Sequence, residues 1–168
     1  YFESIGDDDS LENWSTDIRK YLQNMDERYF VWLTEDMFLL HPIDVELLDI
    51  FTKLIKEDKI GRINLVSDLM QRPHDIIESY DDFNILEAKQ NTKYRVSVSP
   101  SMWDRDYLLK YLLPGFTPWT FENYCCTHAK NDGYRILGSA RRYMLNISNG
   151  LKQGKLNSNW HTSLHNTV

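Results

Sequence analysis

A single α/β domain is what this sequence predicts, and three observations carry it. Helix-period segments and short β-type runs alternate along the chain. Its 168 residues are enough for one domain to bury a core without disulfide or metal staples. Apolar residues at 42% and aromatics at 13% exclude disorder as the general state.

The elements follow in order. Residues 1–13 are polar, and Asp7-Asp8-Asp9-Ser10 reads as an exposed loop. Trp14, Ile18, Tyr21, Leu22 and Met25 recur at helical spacing, with Asn13 or Ser15 available as a cap. Tyr29-Phe30-Val31-Trp32-Leu33 is unbroken, apolar and rich in β formers, which predicts a central strand buried on both faces, Trp32 included. Pro42 opens a helix whose Leu47, Leu48, Phe51, Leu54 and Ile55 form one face. A strand is expected over 60–66, a loop or short helix over 71–82, and short strands over 83–86 and 94–98. Trp103, Tyr107, Leu108, Tyr111 and Leu112 mark a helix over 103–113, stopped by Pro114-Gly115. A further helix is expected over 119–130, with strands over 134–137 and 143–147. The segment 148–168, rich in Asn, Ser, Gly and Lys, reads as an irregular tail of the single domain 1–168.

Charge and composition narrow the function. Nineteen Lys and Arg against twenty-five Asp and Glu give −6, which argues against a general nucleic-acid binder or a polybasic membrane sensor. No apolar run approaches the roughly 20 residues of a transmembrane helix. Cys125 and Cys126 are adjacent, poorly placed for a mutual disulfide and too few for a zinc site, so a reducing, cytoplasmic compartment is expected. The sequence contains no GxSxG, GxGxxG, P-loop or HExxH pattern, which removes the commonest hydrolase, dinucleotide, nucleotide-triphosphate and zinc-protease readings. His41, His74, His128, His161 and His165 are scattered, and Ser97, Ser99 and Ser101 read as strand and turn chemistry.

Two clusters could carry chemistry. Glu35-Asp36 stands just past the most apolar strand, and ligands of open α/β sheets gather beyond the carboxyl ends of strands. Hard carboxylate oxygens there suit Mg²⁺ or Mn²⁺, with substrate phosphates completing the shell; the plainer alternative is a solvated turn. Glu122 follows Thr117, Pro118, Trp119 and Phe121, which places it in the first turn of a helix, kept ionised by the macrodipole and able to accept a proton. The aromatic residues beside it offer a face on which a sugar ring can stack; the alternative is an acid that only complements the dipole while the rings pack inward.

The order of these pieces resembles a group of bacterial and viral glycosyltransferases with the GT-A nucleotide-sugar fold. The likeness runs through Trp14-Ser15, Tyr29-Phe30-Val31-Trp32-Leu33-Thr34-Glu35-Asp36-Met37-Phe38-Leu39, Arg62-Ile63-Asn64-Leu65, Tyr94-Arg95-Val96-Ser97, Met102-Trp103-Asp104-Arg105-Asp106-Tyr107-Leu108 and Pro118-Trp119-Thr120-Phe121-Glu122, closing at Gly150 and Gly154-Lys155. It implies a partial GT-A-like, Rossmann-like mixed sheet, mainly parallel and flanked by helices, lacking the N-terminal nucleotide-binding strands. The resemblance further implies transfer of a sugar from a nucleotide-diphosphate donor to a hydroxyl acceptor in polysaccharide or glycan synthesis. Asp36 would hold the divalent metal, Mn²⁺ or Mg²⁺, with Glu35 as second ligand or support. Glu122 would be the base, and Trp103 and Trp119 would contact carbohydrate. Glu-Asp stands where many GT-A enzymes carry Asp-x-Asp.

The competing expectation is a truncated, non-catalytic domain that binds carbohydrate through Trp103 and Trp119 or assembles with a partner. An exposed sheet edge would then favour homo-oligomers. For the enzyme, a cytoplasmic location peripheral to the inner membrane is expected.

Overall fold

A computed structural model describes residues 11, 13–34, 36–149, 151–152 and 155–156. Helix α1 (Trp14–Asn24) precedes strand β1 (Tyr29–Trp32), the short β2 (Met37–Leu39), helix α2 (Val45–Leu54) and β3 (Ile60–Asn64). A 3₁₀ turn (Ser67–Gln71) leads to the β4 (His74–Ser79) and β5 (Asn84–Ala88) hairpin. Strand β6 (Ser101–Asp104), helices α3 (Arg105–Tyr111) and α4 (Pro118–His128), β7 (Arg135–Ala140), β8 (Ile147–Asn149), β9 (Leu151–Lys152) and β10 (Lys155–Leu156) complete the order.

The main sheet runs β1-β6-β3-β7-β5-β4. The α/β class is as the sequence predicts, but among the described residues four of the main sheet's five strand pairs are antiparallel and only β3–β7 is parallel. Strand-type composition reports burial rather than direction, so apolar runs alone do not fix the ladder. Both faces are covered. Trp103, Tyr107, Leu108, Phe121 and Leu22 share one core under α1, α3 and α4. Met102, Ile63, Leu65, Leu137, Leu47 and Phe51 share the other, under α2. Neighbouring residues of β6 thus point to opposite layers, as the pleat requires.

Capping shifts several boundaries. Helix α2 starts at Val45 rather than Pro42, because the Asp44 side chain accepts from the Leu47 N–H. Helix α3 starts at Arg105 rather than Trp103, because the Asp104 side chain accepts from the Asp106 and Tyr107 N–H groups. The α4 start is fixed by Thr117 and Thr120, which form a reciprocal capping box with Pro118 in the first turn.

Other expectations change class. The stretch 71–82 holds strand β4, whose outward residues are mostly exposed, so it lacks the apolar signature of a buried strand. Residues 94–98 form no strand: Tyr94 sits at φ +59, outside the extended region, and the segment turns to bury Arg95 and Ser97. The expected 143–147 strand lies instead at β8, paired with β2. Within the presumed irregular tail, β9 and β10 pair antiparallel, while 157–168 lie outside the described residues.

Strand β1 is the largest departure. Among the described residues it is an edge strand rather than a central one, paired on one side only by β6, and Val31 is 41% exposed. No helix among the described residues is long and apolar enough to cross a membrane.

Candidate functional site

Strands β1 and β3 both run antiparallel to β6, and Trp32 and Asn64 both pair with Ser101. Their carboxyl ends therefore lie at one end of the sheet, where the loop 97–101 enters β6. Asp36 follows β1 in the turn that leads to β2. Glu35 lies outside the described residues.

Glu122 reaches the same end of the sheet from α4. It is the fifth residue of α4, so it stands beyond the first turn where the sequence analysis placed it, because the helix begins at Pro118. The dipole argument weakens accordingly. A different contact replaces it: the Val98 N–H donates to Glu122 Oε1 at 2.9 Å. Phe121, beside it, packs on Trp14 with ring centroids 5.9 Å apart, and Trp14 meets Trp32 edge-on at 6.0 Å. The α4 start and the end of β1 are thus joined through one aromatic residue of α1.

Beneath this junction lies a small cavity of about 10 Å³, room for about one water, lined by Trp14, Trp32, Ser97, Val98, Trp103 and Phe121. Two of its indoles, Trp32 and Trp103, carry buried Nε1 groups without a hydrogen-bond partner, as does the nearby Thr34 hydroxyl. Buried donors of this sort are rare and costly.

The two tryptophans expected to meet carbohydrate separate clearly. Trp119 is 63% exposed in the first turn of α4 and presents a free ring. Trp103 is 1% exposed, within β6, with the Arg62 guanidinium 5.1 Å from its ring and Tyr107 stacked at 6.3 Å. The β6 pleat turns it into the core, so no ring face remains for a sugar.

Arg62 and Arg95 are what sequence reasoning missed. Arg62 is 2% exposed on β3, and its partners are neutral: Nε donates to Ser101 Oγ at 2.7 Å, Nη1 to the Arg95 carbonyl at 3.0 Å, and Nη2 to Ser99 Oγ. Burial lowers its pKa to about 10, against the opposing fields of Asp68 and Glu122. Arg95 donates to the carbonyls of Ala88, Lys89 and Tyr134 and meets Asp132 at 3.5 Å. Asp132 also accepts from the Tyr107 and Tyr111 hydroxyls, which ties α3 to the loop before β7. A buried arginine is written no differently from a surface one, so only the apolar context of Ile63 and Leu65 hinted at it.

Among the described residues no three of His, Cys, Asp and Glu converge on one point. His128 stacks on Tyr124 on the α4 surface, and His74 Nδ1 lies 2.7 Å from the Arg72 carbonyl oxygen. His161 and His165 lie outside the described residues. Compared with family models, curated proteins and solved structures, the chain finds no match.

Proposed function

We propose that this chain is part of a metal-assisted glycosyltransferase of GT-A-like architecture, moving a sugar from a nucleotide-diphosphate donor to a hydroxyl acceptor. One observation carries the reading: the turn bearing Asp36 follows the end of β1, and the Glu122 carboxylate meets Val98 of the loop 97–101 at the same end of the sheet. Ligands of open α/β sheets bind there.

The donor set suits such an ion. A Mg²⁺ or Mn²⁺ held by one or two carboxylates takes its remaining ligands from phosphates and water, so it needs no all-protein cage. Asp36 is the described carboxylate that would hold it, with Glu35 adjacent in sequence. When bound, the ion acts as a Lewis acid on the departing diphosphate. Glu122 takes the proton of the acceptor hydroxyl; its Oε1 is oriented by Val98, and Arg62 supplies a compensating positive field. Trp119 supplies the acceptor with a flat apolar face. On this reading the enzyme works in the cytoplasm, peripheral to the inner membrane.

A second reading, an assembly domain, draws on the β1 edge, where Val31 and Leu33 (54% exposed) stand open and would favour self-association. Calorimetry with a panel of nucleoside diphosphates, with and without Mn²⁺, tests the first reading. Mn²⁺-dependent binding that vanishes in Asp36→Asn is the expected result. A chain that binds none of the panel but dimerises through β1 belongs to the second.

A further inference from the structure

Arg62 and Asn64 are two apart on β3, so both side chains leave the face that carries Trp103. Both reach the loop 95–101. All three Arg62 nitrogens donate to it: to the Arg95 carbonyl at its start, and to the Ser99 and Ser101 hydroxyls at its end. Asn64 Nδ2 donates to the same Ser99 Oγ at 3.2 Å. The Ser101 hydroxyl turns back onto the Ser99 carbonyl at 2.8 Å, and Ser97 Oγ lies 3.2 Å from Ser99 Oγ. Between these anchors stands Val98, whose N–H donates to Glu122 Oε1.

Stability alone does not call for this arrangement. A buried guanidinium held by neutral acceptors carries a desolvation cost that an apolar side chain would not. What an apolar side chain cannot do is fasten a loop at both ends. The guanidinium is planar and its donors diverge at fixed angles, and the Trp103 ring centroid lies 5.1 Å from its central carbon. Three acceptors of the loop are thus set against one rigid group on an inner strand.

We propose that Arg62 is a positioning residue for Glu122: by fastening the loop 95–101 it places the Val98 N–H, which in turn aims the carboxylate. This rests on the reading of Glu122 as the base, for which a misaimed oxygen loses the proton transfer. It assigns Arg62 a geometric role beside its charge. A lysine at that position keeps the charge without the three-way contact, so the two roles are separable.

The test is a double-mutant cycle on the full chain, read by NMR on the Val98 amide with no substrate present. Glu122→Gln exchanges a charged acceptor for a neutral one, so the Val98 amide proton should move upfield. In Ser99→Ala, a half-buried position whose hydroxyl meets both Arg62 and Asn64, that response should be largely lost. Arg62→Lys should lose it too, whereas a role through charge alone would retain it. Amides of α2, packed on the other face of the sheet, should keep their shifts and report an intact fold. In the active protein Ser99→Ala should lower kcat and leave the donor KM unchanged, a split that a loss of stability alone does not produce. A full Val98 response in Ser99→Ala would overturn the proposal, even if Arg62→Lys does not fold. So would a full response in Arg62→Lys, or none in the unmodified chain. A chain that shows the expected coupling but binds no nucleoside diphosphate supports the Arg62–Glu122 link and fails the transferase reading alone.

Discussion

On the proposed reading Glu122 acts on the acceptor and Asp36 on the donor, so the two are separable by kinetics. Asp36→Asn exchanges an anionic oxygen for a neutral one facing a charged diphosphate, so most turnover and any Mn²⁺ dependence should vanish. Glu122→Gln should keep donor binding and lower turnover by a factor on the order of 10²–10⁴, read by steady-state kinetics with donor titration. A fully active Glu122→Gln protein would leave that side chain only its bond to Val98. At Asp44, the Arg142 guanidinium hydrogen-bonded to it holds the carboxyl below the usual carboxylate range. Its folded pKa being depressed, the stabilisation is complete above the ordinary value of about 4 and is lost as pH falls through the lower folded value. Asp44→Asn preserves a capping side chain but not the charge, so urea midpoints between pH 5 and pH 3 should fall less steeply in the variant. Cys125 is buried, which pushes its thiol pKa up, so alkylation should modify the half-buried Cys126 first and reach Cys125 only on unfolding. Acids after an apolar run or near a helix start were legible as residues of interest. Which atoms they meet was not, because Val98 reaches Glu122 through a loop whose path no local rule encodes.

At the scale of elements, the helices were the most legible, since a 3.6-residue apolar period survives any tertiary arrangement. Their ends moved by one to three residues wherever a cap such as Asp104 or Asp44 claimed the first N–H groups. Strands fared worse at the margins. Strand β4 has one partner and an exposed outer face, so its Ile76 and Ile77 resemble loop residues in a charged context. In β3, the pairing with β7 is irregular between Ile60 and Arg62, and Ile60 packs in the α2 layer while Arg62 lies against Trp103 in the other. Gly61 sits at that irregularity with no room for a side chain: a Cβ there would lie 2.3 Å from the Tyr107 ring. That ring cannot retreat, since Trp103 and Tyr134 flank it and its hydroxyl is bound to Asp132. Gly61→Ala should therefore cost about 3 kcal/mol, at the upper end of overpacking substitutions, measured as a lowered urea midpoint with unchanged m-value.

Over the whole molecule, the α/β class and the two covered faces were legible from alternation and apolar content. The strand order was not, because it depends on which loops cross the sheet. The one parallel pair shows this well: Ile63 aligns with Leu137, residues whose neighbourhoods in sequence share nothing that would announce it. That pair has a temporal consequence. Strands β4 and β5 lie next to each other in sequence and can zip as a hairpin at once. Strand β3 waits for β6 on one flank and for β7 on the other, and both arrive only after the long middle of the chain has been made. Because the central ladder closes long loops, its assembly bears much of the kinetic barrier. Pulse-labelled hydrogen exchange during refolding should show amides of α2 and the β4–β5 hairpin protected before those of β3 and β7. During synthesis, β3 finds its second neighbour only once residues 135–140 have been made.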